Sequence, residues 1–343
     1  VLDGNLKQPS LRACVIGAGA WGTALATVLC DAGHDVTLWA FERHVADAIN
    51  SSQRNTTYLP EIILPATLKC TNDLQAAVAN ADLIVSVVPA QHSRQVGLQW
   101  IKNAPKSAVV VCASKGIELG TGKLLSDIFD EILPPPLKSR MCFLSGPSFA
   151  REVAKGQPTV VVCAGAVEST AKYVQHAFAR PTFRTYWTHD VVGVEVGGAL
   201  KNVMAIATGI CDGMGLGLNA RAALITRGLI EITRVAVALG AEPTTLMGLA
   251  GQGDLILTCT GDLSRNRRVG LALGRGEKLK DVLDGMPQVV EGVATAQAAH
   301  RLARKLGVST PIIDEVYSVL HEGLDVEGTV ERLMTRSLKR ETI

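Results

Sequence analysis

Residues 14–26, Cys-Val-Ile-Gly-Ala-Gly-Ala-Trp-Gly-Thr-Ala-Leu-Ala, constrain the fold more than any other stretch. An apolar run there turns through Gly17, Gly19 and Gly22 directly into a small-residue helix. Each glycine has its own task. Gly17 permits a tight turn, Gly19 lets the backbone approach a pyrophosphate, and Gly22 lets helix and strand pack closely. The helix N-terminus then offers free N–H groups to an anion. The spacing alone is weak, because a glycine-rich turn in another parallel α/β protein would also satisfy it. Context strengthens it: Gly33-His-Asp-Val-Thr-Leu-Trp39 is a second short strand at the distance a βαβ unit requires, with charged residues at its end.

The first half continues in the same alternation. Leu83–Val88, closed by Pro89, is a continuous apolar run of the kind expected for a strand buried on both faces. Residues 108–112, 141–144 and 159–163 follow it, with helix-like segments at 73–81 and 123–132 between the runs. This pattern predicts an α/β fold: a Rossmann-type, doubly wound, mainly parallel sheet. Ligands on such sheets lie at the carboxyl ends of the strands, where residues 17–22, 114–116 and 145–149 fall. From about residue 190 the texture changes to long amphipathic segments at 194–208, 221–239, 267–273, 295–305 and 313–320. Gly240 before Pro243 and Gly307 before Pro311 mark two helix ends. The expected organisation is a polar N-terminal extension at 1–10, a dinucleotide-binding domain at 11–190 and an all-helical, substrate-binding C-terminal domain at 191–343, ending in a charged helix.

A chain of 343 residues is long for one core and suits two. Its net charge of +2, with acids and bases nearly balanced, argues against a nucleic-acid surface or a membrane-attracted patch. No apolar run reads as long enough to span a bilayer, and the first twelve residues lack a signal-peptide core. The eight cysteines sit singly, with no CxxC pair and no Cys/His metal spacing, so they read as buried thiols in a reducing cytoplasm. No metal is expected.

Three segments could carry chemistry. In Val194-Glu-Val-Gly-Gly-Ala-Leu-Lys-Asn-Val-Met-Ala, Lys201 projects over Gly197 and Gly198 one turn earlier, into a gap that a small ligand could fill. A solvated lysine on a surface helix is the plainer reading of that residue alone. Asp254, between a glycine-rich turn and an apolar stretch, can face inward or simply cap a helix. In Thr260-Gly-Asp-Leu-Ser-Arg-Asn-Arg-Arg268, Ser264 caps a helix whose first turn is basic; that charge opposes the helix dipole unless an anion such as phosphate neutralises it. Other signals fail. Gly116–Lys123 has one residue too many for a P-loop and reads as a loop before a helix, while Gly146-Pro-Ser148 lacks the second glycine of a nucleophile elbow, leaving Ser148 as a polar lining residue.

Taken together, GAGAWGTALA, SKGIE, GPSFARE, EVGGALKNVMAIATGICDG and GQGDLILTCTGDLSRNRRVG resemble the NAD(P)-dependent glycerol-3-phosphate dehydrogenases from residue 11 to about 335. The TGDLSRNRR form looks more like the bacterial enzymes than like the shorter GGRNRK loop of animal ones. The resemblance implies that Lys201 is the general acid/base with Asp254 as its charge partner. Asn202 and Thr258 would join Asp254 around the substrate hydroxyl or carbonyl. Ser264, Arg265 and Asn266 would bind the substrate, with phosphate near the last two. Lys115, Gly146 and Ser148 would close the pocket from the nucleotide side. Cofactor contacts would come from Gly17, Gly19, Ala20, Trp21, Gly22, Phe41, Glu42, Lys115, Ala150, Arg265, Val289 and Glu291. The implied reaction is hydride transfer between nicotinamide C4 and C2 of dihydroxyacetone phosphate or sn-glycerol 3-phosphate, in a cytoplasmic homodimer supplying phospholipid synthesis. Two rival readings share the architecture: a β-hydroxyacid dehydrogenase resembling ketopantoate reductase, and a catalytically idle NAD-binding sensor.

One departure bears on the cofactor. Many bacterial relatives carry Arg or His near positions 41 and 42, where a 2′-phosphate is held; here Phe41-Glu42 predicts that NAD(H) is preferred, while Arg43 keeps NADP(H) within reach.

Overall fold

The computed structural model describes residues 9–286, 288–338 and 340–341, so residues 1–8 of the predicted N-terminal extension lie outside the described part. Eight strands form one sheet: β1 Arg12–Ile16, β2 Asp35–Trp39, β3 Lys69–Thr71, β4 Leu83–Ser86, β5 Val109–Cys112, β6 Met141–Ser145, β7 Thr159–Ala164 and β8 Phe183–Thr188. Their order is β3-β2-β1-β4-β5-β6-β7-β8, and every neighbouring pair is parallel except β6–β7. The order reverses at β1, the switch point of a Rossmann sheet, where ligands bind.

All four residues of β4 and of β5 are buried, which is why both read as unbroken apolar runs. The sequence reading missed β3 and β8 for physical reasons. β3 has only three residues, of which Cys70 alone is buried. β8 closes the sheet's other edge, and in it buried Phe183 and Thr185 alternate with exposed Arg184 and Tyr186, so its apolar content is halved.

Beyond β8 the described regular structure is helical. The helix Val191–Gly213 is its axis: 18 of its 23 residues are buried, and Asp190 caps its start by accepting from the Gly193 N–H at 2.8 Å. It is three residues longer at the start and five at the end than its apolar periodicity suggested. Contrary to the sequence reading, this helix is long and apolar enough to cross a membrane, but 83% of its most apolar window is buried in the protein. Helices Gly217–Ala238, Asp254–Thr260, Arg265–Gly274 and Glu291–Leu306 pack around it.

The closest crossing is with Arg265–Gly274, and glycine makes it. A Cβ on Gly270 would lie 2.1 Å from the Ile206 carbonyl oxygen, and one on Gly209 would lie 2.2 Å from that of Arg267. Backbone-on-backbone contact therefore fixes how far the basic segment stands from Lys201. At its other end the axial helix enters the sheet: Val194 packs in one cluster with Cys14 and Ile16 of β1 and with Ala250. The lysine helix is thus seated on the nucleotide sheet.

Candidate active site

A cleft of about 660 Å³ runs from the glycine loop, past the ends of β2, β4 and β5, to Lys201 and Arg265. The three fingerprint glycines have different surroundings. Gly17 has φ +116, and a Cβ there would lie 2.9 Å from the Val87 carbonyl oxygen; at Gly22 it would lie 1.8 Å from that of Gly17. At Gly19, by contrast, it would meet nothing within 4 Å. Gly19 therefore opens on the cleft at the start of helix Ala20–Asp31, whose N-terminus carries no side-chain cap. Backbone N–H groups facing open space without a protein acceptor suit a pyrophosphate, so these residues are fit to hold a dinucleotide.

Further along the cleft, two lysines share one carboxylate. Lys201 Nζ donates to Asp254 Oδ1 at 2.5 Å and to Thr258 Oγ1 at 2.9 Å; Lys115 Nζ donates to Asp254 Oδ2 at 2.6 Å and to the Gly146 carbonyl at 3.2 Å. Lys201 is only 7% exposed and Asp254 1%, which overturns the plainer readings of a surface lysine and a helix cap. Asp254 follows a π-helical turn at Leu249–Gly253 and begins Asp254–Thr260, so its side chain points into the protein and leaves the helix end uncapped. Burial pushes the Lys201 ammonium down to about 8; the Asp254 charge opposes that fall, and the neighbouring Lys115 charge adds to it. Burial by itself would raise the Asp254 carboxyl, but the charges and hydrogen bonds of both lysines hold it below the usual carboxylate range. Two ammonium groups and one carboxylate leave one positive charge in excess, in a largely water-free place. Such a place stabilises an oxyanion that forms beside it.

At the far end, Asn266 Nδ2 donates to Asn202 Oδ1 at 3.0 Å, while Asn266 Oδ1 accepts from the Gly292 N–H at 2.9 Å. The basic turn divides its labour. Arg267 is buried and bridges Asp212 at 2.7 Å and Asp262 at 2.8 Å, so the protein itself neutralises that charge. Arg265 instead lines the cleft and donates to the Val289 carbonyl at 2.9 Å. Of the first-turn bases that called for an anion, Arg265 is the one left to meet it in the cleft.

Lys115, Ser148, Lys201, Asn202, Arg265 and Asn266 line the cleft, as do Ala20, Trp21, Phe41, Glu42, Val289 and Glu291. Five expected residues are not part of its lining. Asp254 and Thr258 hold Lys201, Gly146 offers its carbonyl to Lys115 and Ser148, and Ser264 spends its hydroxyl on the Arg267 N–H at 3.2 Å. Ala150 begins the short helix Ala150–Ala154, which packs against Ala20–Asp31. Glu291 Oε1 accepts from the Ala90 N–H at 3.1 Å, tying the helical half to the end of β4. Sequence reasoning missed Tyr58, His92, Gln95 and Gln99, which also line the cleft. Tyr58 Oη donates to Glu42 Oε1 at 2.7 Å. Gln95 and Gln99 stand one turn apart on helix Ser93–Trp100, with His92 just before it, and Tyr58 lies on the connection before β3; the sheet brings both segments to its carboxyl edge.

The glycine loop and the lysine–aspartate cluster agree with what the chain is related to. Residues 12–171 match the family model of the NAD-dependent glycerol-3-phosphate dehydrogenase N-terminus, and residues 190–331 that of its C-terminus. The chain belongs to that family. It is 51% identical over 332 residues to the glycerol-3-phosphate dehydrogenase [NAD(P)+] of Geobacter sp. strain M21, covering 97% of this chain and 99% of that protein. The crystal structure of glycerol-3-phosphate dehydrogenase from Coxiella burnetii superposes with a TM-score of 0.91 at 39% identity, covering 95% of this chain and 99% of that one. A ketopantoate reductase from Ralstonia eutropha reaches a TM-score of 0.57 at 18% identity, over 93% of this chain and all of that one. That likeness is one of fold alone.

Proposed function

We propose that this chain reduces dihydroxyacetone phosphate to sn-glycerol 3-phosphate, reversibly, with NAD(P)H as reductant. The observation that carries the reading is the buried Lys115–Asp254–Lys201 cluster opening on the same cleft as the glycine loop. The bound nicotinamide supplies the hydride. Lys201 gives its proton to the C2 oxygen as negative charge develops there, and recovers it in the reverse direction. Asp254 keeps Lys201 aimed and charged, and Thr258 accepts its second hydrogen bond. Lys115 adds a second positive charge beside the carbonyl. Arg265 and Asn266 hold the phosphate, whose binding energy orients C2.

Several finer points belong to the same reading. NADH is preferred to NADPH, because Glu42 faces the cleft and its carboxylate repels a 2′-phosphate, whereas Arg43 is not among the residues that line it. The domain division falls at about residue 190, between β8 and the axial helix. The product enters glycerophospholipid synthesis, and the enzyme acts as a cytoplasmic homodimer. One assay tests the central claim: NADH loss with dihydroxyacetone phosphate, beside pyruvate and ketopantoate. Turnover confined to dihydroxyacetone phosphate is expected; turnover of a carboxylate substrate, or none at all, would overturn it.

A further inference from the structure

We propose that Tyr58 is a specificity-determining residue: it holds the Glu42 carboxylate in the cleft, where that group accepts from a ribose 2′-hydroxyl and repels a 2′-phosphate. The proposal rests on the reading that Glu42 faces the cofactor's adenosine ribose. What it adds is the device that makes Glu42 a reader.

Glu42 precedes helix Arg43–Ser52, and its carbonyl accepts from the Val45 and Ala46 N–H groups, so its backbone is fixed. Its side chain would still be free to turn to solvent. The Tyr58 hydroxyl prevents this by donating to Oε1 at 2.7 Å, and both residues line the cleft. A carboxylate with one lone pair engaged retains others for a ribose hydroxyl. Tyr58 is itself anchored to the cofactor loop. Its N–H donates to Asn55 Oδ1 at 3.0 Å, and Asn55, with no exposed surface, donates through Nδ2 to the Ala18 carbonyl at 2.7 Å and to Thr23 Oγ1 at 2.8 Å. Ala18 lies between the first two fingerprint glycines. The same loop that receives the pyrophosphate therefore sets the distance to the residue that reads the ribose. Burial, reinforced by the Glu42 carboxylate, pushes the Tyr58 phenol up to about 12, so it remains a donor throughout neutral pH.

An anchored carboxylate discriminates in two ways that a mobile one does not. It offers an acceptor already ordered for the hydroxyl, saving side-chain entropy on binding, and it cannot swing away from an approaching phosphate. Loss of the Tyr58 hydroxyl should therefore weaken NADH binding and strengthen NADPH binding, in opposite directions.

The test is titration calorimetry of NADH and NADPH, without a second substrate, on the full chain and on Tyr58→Phe, Glu42→Gln and the double variant. We expect Tyr58→Phe to lower the NADH-over-NADPH affinity ratio about fivefold, the scale of one ordinary hydrogen bond. Glu42→Gln should remove the preference, and Tyr58→Phe should change nothing further in that background. Equal weakening of both cofactors by Tyr58→Phe would mean a merely structural role and overturn the proposal. An unchanged ratio in Tyr58→Phe alongside a changed one in Glu42→Gln would overturn it while leaving the Glu42 reading intact. No change in either variant would overturn both.

Discussion

Lys201 shows how far burial can alter a residue's meaning. On an exposed helix it would be an ordinary ammonium; with its head group beside Asp254 and its pKa pushed down to about 8, it exchanges protons near neutrality. In the proposed mechanism reduction needs the charged form and oxidation the neutral one. As pH rises through about 8, dihydroxyacetone phosphate reduction should fall and glycerol 3-phosphate oxidation should rise, which initial rates in both directions will check. Lys201→Met should bind NADH normally but lose turnover by roughly 10²–10⁴-fold, the usual contribution of a positioned general acid; near-normal kcat would remove Lys201 from the mechanism. At the phosphate end, Arg265→Gln should raise KM for dihydroxyacetone phosphate much more than it lowers kcat, since that contact exists in ground and transition states alike. Because Val289 and the nucleotide side lie close, cofactor KM must be measured with it. Equal loss with unphosphorylated dihydroxyacetone would disprove the phosphate assignment.

Between elements, glycine contacts set the geometry. The axial helix and Arg265–Gly274 approach so closely that no side chain fits at Gly270, where the obstacle is the Ile206 backbone oxygen and cannot rotate away. Gly270→Ala should push the two helices apart, destabilise the protein by about 1–3 kcal/mol and raise KM for the phosphorylated substrate. Thermal melting and steady-state kinetics on the same sample will show whether the two effects travel together; a stable variant with unchanged KM would mean that this crossing does not set the phosphate distance. Much of this level was legible in advance. The six strands read from the sequence are present because strands buried on both faces must be apolar throughout, and the Gly307 stop is present with φ +66. Short β3 and edge strand β8 were not, because a strand buried on one face carries half the signal.

At the scale of the whole molecule, two buried carboxyls away from the cleft tie stability to pH. Burial pushes Glu195 up to about 8, against the hydrogen bond from the Ser126 N–H, and Glu231 up to about 7, against those from Ile312 and Ile313. Both groups hold protons more tightly folded than unfolded. Their stabilisation is complete below the ordinary carboxylate value and is lost as pH rises toward about 8 and about 7. Urea midpoints measured from about pH 5 to about pH 8 should therefore decline, and Glu195→Gln should flatten the decline; an unchanged slope would exclude Glu195 as its source.

The sequence by itself determined the cofactor loop, the parallel sheet, the helical second half and the family, because each is written in local spacing: glycine intervals, unbroken apolar runs, helical periodicity and contiguous motifs. It could name Lys201, Asp254, Arg265 and Asn266 by resemblance. Only the tertiary structure decided their surroundings. Lys115 and Lys201 stand 86 positions apart yet meet on one carboxylate, Arg267 finds its counter-charge on Asp212 from another helix, and Tyr58 reaches Glu42 across a connection. The reason is physical. Local backbone preference and hydrophobic period act over a few residues and can be read along the chain, whereas the pKa, the partner and the direction of a charged side chain are set by burial and by charges brought close from elsewhere.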